Sequence, residues 1–399
     1  MNEYFVTCES VTEGHPDKIC DQISDAILDR YLEKDQYSRV AIETMVSKNT
    51  IMIAGEVKSN GKVDIAEVAR DVVRKIGYND DNLGFNYKTC LIFTNINKQS
   101  SDIALGVDKD EENKISHKKI LGAGDQGIMY GYAFDETKNY MPITCDLANK
   151  LSMRLAYLRK EGGCEWLCPD GKVQVTMKYD ESGKSLGLSS IVISAQHKAN
   201  IDNDFLKNSI MYDVIDNVVD GKWIKYDTKI YINPTGRFVI GGPSGDTGLT
   251  GRKIMVDTYG GIGKHGGGAF SGKDPTKVDR SGAYMARYVA KNIVASKLAE
   301  KAEVSLSYII GEAEPDAITI NTFGTEKVNK EYLNAIVKNI FHFSVSEIIE
   351  ELNLRKPQFL KSSVYGHFGR ENENFRWEDI DKIQILKEEA IKYICNSFR

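Results

Sequence analysis

No stretch of this 399-residue chain approaches the roughly 20 consecutive apolar residues that span a bilayer. The opening residues, MNEYFVTCESVTEG, are acidic and lack the apolar core of a signal peptide. No membrane partner is expected, and the cytoplasm is the expected location. A surplus of positive charge is missing too: 52 Lys and Arg stand against 57 Asp and Glu, a net charge of −5. Nucleic acid is therefore not an expected partner. Seven cysteines form no disulfide framework. Cys164 and Cys168 are the only close pair, and no second pair or nearby histidine completes a zinc set. Reduced thiols fit that usage. The six histidines are far apart, and none has a second His or a Cys four residues on. No internal repeat is visible.

What the chain does have is length for two or three domains and one glycine-dense block. Residues 241–282 read GGPSGDTGLTGRKIMVDTYGGIGKHGGGAFSGKDPTKVDRSG. Arg252, Lys253, Lys264, Lys273, Lys277 and Arg280 are set among the glycines, with Asp246, Asp257, Asp274 and Asp279 between them. Glycine lets backbone come close to a ligand. Backbone N–H groups and fixed cations neutralise phosphate oxygens, and carboxylates suit a hard cation such as Mg²⁺. The block reads as a site for a metal-bearing polyphosphate. A flexible linker favours Ser and lacks such cations.

Two familiar nucleotide motifs fail on context. Gly122 to Gly127, GAGDQG, fits G-x-G-x-x-G, but KKIL before it is a poor strand and IMYGYA after it reads as strand, not helix. GGAFSGK at 267–273 fits the start of a P-loop, but Asp274 follows where Ser or Thr is needed.

Elsewhere the pattern is mixed. Ile19, Ile23, Ala26, Ile27 and Tyr31 recur at helical spacing. Pro16 suits the first helical position and His15 falls near the N-cap. Gly14-His15-Pro16-Asp17-Lys18 thus sits at a helix N-terminus, a place for anions. Residues 39–57 predict a β-hairpin, 63–76 a helix ending at Gly77, and Lys88 to Asn95 a strand. Residues 99–121 are charged and read as a solvated loop or a mobile lid over a site. Two strands are expected within 170–198, and a strand at 237–240 feeding the glycine block. Asp274-Pro275 is expected to start a long helix with Val278, Met285, Tyr288, Val289 and Ile293 on its apolar face. Hairpin-linked strands with helices argue for α+β layers rather than an all-parallel sheet. Residues alone leave the activity open. A phosphotransferase moving the γ-phosphoryl group of ATP, or a nucleotide-sensing regulatory protein, would explain the same glycines and cations.

GHPDK at 14–18, GAGDQG at 122–127, GGPSGDTGLTGRK at 241–253, HGGGAFSGKDPTKVDRS at 265–281 and YGHFGR at 365–370 together resemble S-adenosylmethionine synthetase. The resemblance runs from Thr12 to Trp377. It implies an α+β fold of three similar two-layer domains about a pseudo-threefold axis, with domains near 1–105, 120–236 and 237–399 that exchange segments. It implies attack of methionine sulfur on C5′ of ATP, then cleavage of the expelled triphosphate to pyrophosphate and phosphate. ATP and L-methionine are the implied substrates, two Mg²⁺ per site and K⁺ the ions, and a homodimer with interface sites, paired into tetramers, the assembly. A thioether has no proton to lose, so no general base is needed. Orientation and stabilisation of the polyanionic leaving group carry the reaction.

By the same resemblance, His15 supports the leaving oxygen. Asp17 and Asp279 are Mg²⁺ ligands and Glu43 a K⁺ ligand. Lys172, Arg252, Lys253, Lys273 and Lys277 are phosphate-binding cations, with Lys18 added to them. Arg237 and Phe238 meet the nucleotide, with Phe238 stacking on adenine, and Asp170 and Ala269 line its pocket. Glu56, Gln99 and Asp246 resemble the methionine-binding set, with Lys277 and Ile310 lining that pocket. Asp246 also touches ATP, and Asp125 holds the ribose or the sulfonium side. His15, Lys172, Arg252 and Lys273 are the expected catalytic residues. Thr247 stands where relatives often carry Ala or Cys, beside the expected K⁺ site.

Overall fold

A computed structural model of the chain describes residues 3–98 and 121–397. Gln99 and the expected loop, up to residue 120, lie outside the described residues. The strands, in chain order, are β1 (Tyr4–Val11), β2 (Arg39–Ser47), β3 (Thr50–Lys58), β4 (Leu91–Asn97), β5 (Gly127–Phe134), β6 (Leu167–Tyr179), β7 (Ser185–His197), β8 (Lys229–Ile232), β9 (Gly248–Leu249), β10 (Lys301–Tyr308) and β11 (Ala317–Asn321). The principal helices are α1 (Pro16–Lys34), α2 (Ile65–Ile76), α3 (Ile143–Lys160) and α4 (Val278–Ala295). None of the described helices is long and apolar enough to cross a membrane.

The strands form three sheets, ordered β4-β3-β2-β9, β1-β6-β7-β8 and β11-β10-β5. Each buries one face against a helix: α1 lies on β2, α3 on β6 and β1, and α4 on β5 and β10. The result is three helix-on-sheet layers, an α+β fold. Every sheet takes a strand from a distant part of the chain. The N-terminal β1 pairs antiparallel with β6 over its whole length, Tyr4 against Tyr179 through Val11 against Lys172. β5 joins β10, and β9 from the glycine block joins β2.

Local sequence explains these elements. The β2–β3 hairpin closes at Ser47 and Thr50, with Lys48 in the left-handed region at φ 50°. Helix α2 starts on Asp64, whose side chain accepts the Glu67 N–H, and stops at Gly77. β4 begins at Leu91, three residues after the expected start, and runs parallel to β3. α2 supplies the crossover that a parallel pair requires. β8 likewise runs parallel to β7, so the sheets are mixed rather than hairpins throughout.

Two expected elements are corrected. Residues 237–240 form no strand. Asn233 at φ 40° and Gly236 at φ 83° break the chain after β8. Phe238 then leans on His197: its N–H donates to Nε2 at 3.1 Å and its carbonyl accepts the His197 N–H at 2.9 Å. The long helix starts at Val278, not at Pro275. Asp274 Oδ1 accepts the N–H of Thr276 at 3.0 Å and its hydroxyl at 2.7 Å, which holds 274–277 as a turn.

α1 and α4 are buried on nearly every side, and charged groups are buried with them. Asp25 on α1 accepts Arg280 Nη1 and Nη2 of α4 at 2.7 and 2.8 Å, and neither side chain reaches solvent. Further along α4, Glu378 receives Arg287 at 3.0 Å and Lys291 at 2.7 Å. Removing one partner of such a pair strands a buried charge. Arg280→Met is expected to destabilise the chain by about 3–5 kcal/mol in urea unfolding. An unchanged midpoint would show that the pair is not needed.

Candidate active site

The N-terminus of α1 gathers the first group. Pro16 occupies the first turn, where its missing N–H costs nothing. His15 caps the helix, its Nδ1 accepting the Asp17 N–H at 3.2 Å. That bond leaves the proton on Nε2. Burial, reinforced by the nearby Lys253 ammonium, lowers the His15 pKa to about 4. His15 is thus a neutral donor at physiological pH. The glycine block folds onto this helix end because Gly248 permits it: a Cβ there would lie 2.2 Å from the Pro16 carbonyl carbon. The Leu249 N–H then reaches Asp17 Oδ1 at 3.0 Å, and Lys253 Nζ reaches Oδ2 at 2.5 Å. Arg252 lies 3.6 Å from the same carboxylate. Burial pushes the Asp17 carboxyl up, but Lys253 and the Leu249 N–H outweigh it and hold it below its ordinary value.

Asp170 and Lys172 approach from β6. Asp170 is buried and accepts the Gly242 N–H at 2.8 Å. Burial raises its pKa to about 6. Lys172 is half exposed and pairs with Glu9 of β1 at 2.9 Å. Asp246 is exposed and close enough to influence the protonation of both His15 and Asp170. Arg237 is exposed, and Phe238 is half-buried over Gly241.

The start of α4 gathers a second group. Lys273 Nζ lies 2.5 Å from Asp279 Oδ2. Lys273 forms an isolated bridge with Ala41 of β2, while Gly272 next to it donates to the buried Asp25 at 2.8 Å. Lys277 pairs with Asp274 at 2.6 Å. The Asp125 loop comes alongside, with Gly124 over Thr276 and Lys277. Ile310 is half exposed on a turn joined to that loop by the Gly311 N–H to Ala123 carbonyl bond at 2.8 Å. Ala269 packs on Gly251, beside Arg252. Among the described residues, no ion pair links the two groups within one chain.

Glu43 and Glu56 lie on the outer face of the β4-β3-β2-β9 sheet, whose β2 bridges to Lys273 at Ala41 and pairs with Leu249 at Met45. Glu43 is exposed and Glu56 half-buried opposite Ala41. Between β9 and β4 on that face runs a row in cross-strand register: Leu249, Met45, Met52 and Phe93, all substantially exposed.

Several charges of the glycine block are structural. Lys18 is fully buried, 3.0 Å from Asp21 and bonded to Asp257, so it does not join the phosphate-binding cations. Arg280 is spent on Asp25. Asp274 accepts the Val40 N–H at 2.8 Å. Of the four carboxylates in the block, Asp246 and Asp279 remain on the surface of the site. Sequence reading missed Glu9, Asp21 and Asp25. Alternation along β1 was the sole sign of Glu9, and nothing local pairs Asp25 with a residue 255 positions away.

Metal fit follows from the donors. Asp17 and Asp279 each offer hard oxygen atoms and each already balances an ammonium group at 2.5 Å. The described residues contain no cluster of three or more potential ligands. Mg²⁺ is often held by one or two carboxylates, with substrate phosphates completing the shell. The residues fit that use.

Cations, carboxylates and a helix N-terminus have the chemistry to hold a metal-bearing polyphosphate, and comparison with known proteins says in which family. Residues 3–101, 120–238 and 240–379 match the N-terminal, central and C-terminal domains of S-adenosylmethionine synthetase. The chain is 54% identical over 387 residues to S-adenosylmethionine synthase 1 of Rhodospirillum rubrum, covering 97% of this chain and 99% of that protein. It is 52% identical to S-adenosylmethionine synthase of Petrotoga mobilis and 50% identical to that of Clostridium tetani, with the same coverage. The chain belongs to the S-adenosylmethionine synthetase family, whose members generally depend on Mg²⁺ and K⁺.

The raised pKa of Asp170 gives a pH test. Folding favours its protonated form, so the contribution is full below pH 3.8 and lost as pH rises through 6. Asp170→Asn retains an acceptor for Gly242 and avoids the buried charge. The variant is expected to gain on the order of 2 kcal/mol over the natural chain at pH 8, shrinking toward pH 5. Urea unfolding at both pH values checks this, and a gap that widens on acidification would contradict it.

Proposed function

We propose that the chain makes S-adenosylmethionine from ATP and L-methionine, as a methionine adenosyltransferase whose two residue groups grip the triphosphate. A sulfur lone pair forms the S–C5′ bond as the C5′–O bond breaks. The electron pair leaves with the triphosphate and the sulfur becomes a sulfonium. Water then attacks a phosphorus of the bound triphosphate, giving pyrophosphate and phosphate. The supporting observation is the pair of carboxylates, Asp17 and Asp279, each held by a lysine, the first beside a neutral histidine at a helix N-terminus.

His15 donates from Nε2 to the leaving oxygen, where negative charge grows. Lys172, Arg252, Lys253, Lys273 and Lys277 meet the phosphates. Asp17 and Asp279 hold Mg²⁺, which neutralises phosphate charge when bound. Phe238 supplies the face for adenine, with Arg237, Asp170 and Ala269 around the nucleotide. Glu56, Gln99 and Asp246 receive methionine, beside Ile310, and Asp125 steadies the sulfonium side. Glu43 is the K⁺ ligand.

The chain works as a homodimer in which the first group of one subunit meets the second group of its partner. Support comes from the lack of an ion pair between the groups among the described residues and from the exposed row Leu249, Met45, Met52 and Phe93. That row starts in the glycine block at Leu249 and shares its face with Glu43 and Glu56.

Incubation with ATP, L-methionine, Mg²⁺ and K⁺ is expected to yield S-adenosylmethionine with matching pyrophosphate and phosphate. ADP without S-adenosylmethionine would instead establish a phosphotransferase. His15→Ala and Lys273→Ala are each expected to lower the rate by roughly 10² or more, and full activity in either would remove that residue from the mechanism. Phe93→Lys is expected to give monomers by sedimentation, with activity lost alongside. Active monomers would refute the shared site.

A further inference from the structure

One buried cluster has no part in the chemistry above. Cys8 of β1 and Cys145, in the first turn of α3, meet with their sulfurs 2.7 Å apart. They are 2% and 4% exposed. The Cys8 sulfur also lies 3.1 Å from the Thr144 hydroxyl. Gly260 covers it from the glycine block, where a Cβ would stand 2.2 Å from that sulfur. Cys8 therefore has a thiol and a hydroxyl as side-chain partners at the N-terminus of an 18-residue helix, a setting that favours thiolate. The hydrogen bond from Cys145 is the largest influence on Cys8 and lowers its pKa, against burial and the Glu136 charge. Burial raises Cys145 well above its ordinary value. The two thiols are thus unlike, and Cys8 is the one more readily deprotonated.

We propose that Cys8 and Cys145 form a reversible dithiol–disulfide site that reacts with hydrogen peroxide, a small neutral oxidant suited to so enclosed a place. The Cys8 sulfur attacks one peroxide oxygen, the O–O bond breaks, and the departing hydroxide takes the proton given up by the Cys8 thiol, leaving Cys8 sulfenic acid and water. The Cys145 sulfur then attacks the sulfenic sulfur. The S–O bond breaks, and the departing hydroxide takes the Cys145 proton as water. Two thiols are oxidised to a disulfide and one peroxide is reduced to two waters. The bond ties β1, whose Glu9 holds Lys172, to the start of α3.

The full reduced chain, treated with hydrogen peroxide, alkylated and digested without reductant, tests this by mass spectrometry. The expected product is one linked peptide pair containing Cys8 and Cys145, two hydrogens lighter and lost on treatment with dithiothreitol. Recovery of both as free thiols, while the more exposed Cys164 and Cys168 are oxidised, would overturn the proposal. In Cys145→Ser, dimedone is expected to label Cys8, which no longer has a resolving thiol. Absence of that label under the same peroxide dose would overturn the assignment of Cys8 as the attacking sulfur.

Discussion

Asp25 is the point on which two of the three layers turn. Its carboxylate sits out of water in the middle of α1 and takes both prongs of the Arg280 guanidinium from α4. A carboxylate in that position is tolerable only because a planar fork satisfies both oxygens at once; a lysine could not. The same carboxylate accepts the Gly272 N–H, and Gly272 carries the chain into Lys273. One buried charge thus ties two helices together and anchors the chain next to Lys273. Glu378 does a similar job farther along α4, binding Arg287 and Lys291 and fastening the C-terminal segment to the helix.

Much of this was legible in the residues. The start of α1, the β2–β3 hairpin, the stop at Gly77 and the two long strands around residue 180 follow from caps, alternation and turn residues. Those are local rules. What escaped was decided by distant partners. β4 pairs parallel to β3 because α2 returns the chain to the same side, which alternation cannot reveal. The 237–240 segment has strand composition, yet His197 takes the bonds that a neighbouring strand would need. In the site, the glycine block was plain, but the division of its charges was not. Lys18 and Lys253 look alike in sequence. Burial against Asp21 and Asp257 makes the first a strut, and exposure beside Asp17 leaves the second free to exchange partners.

The site also illustrates chemistry without a base. Its ionisable groups are arranged to meet charge rather than to move protons. His15 is held neutral by burial and by Lys253, so it offers a hydrogen bond and no fixed charge. The cations are distributed between two helix starts, so no single segment concentrates like charge.

Each of the two carboxylates proposed to hold Mg²⁺ is closed by its own lysine, Lys253 on the buried Asp17 and Lys273 on the partly exposed Asp279. Each carboxylate is therefore neutralised from within the chain, and in the proposed reaction a divalent ion arriving alone would compete with an ammonium already in contact. When the ion arrives with a triphosphate, the displaced lysine has an anion to move to. Ion and nucleotide then assist one another by the same free energy in either order, since coupling between sites is reciprocal. On the proposed function the lysines are exchangeable counter-ions that would bias the protein against metal without nucleotide and keep its loading conditional on both.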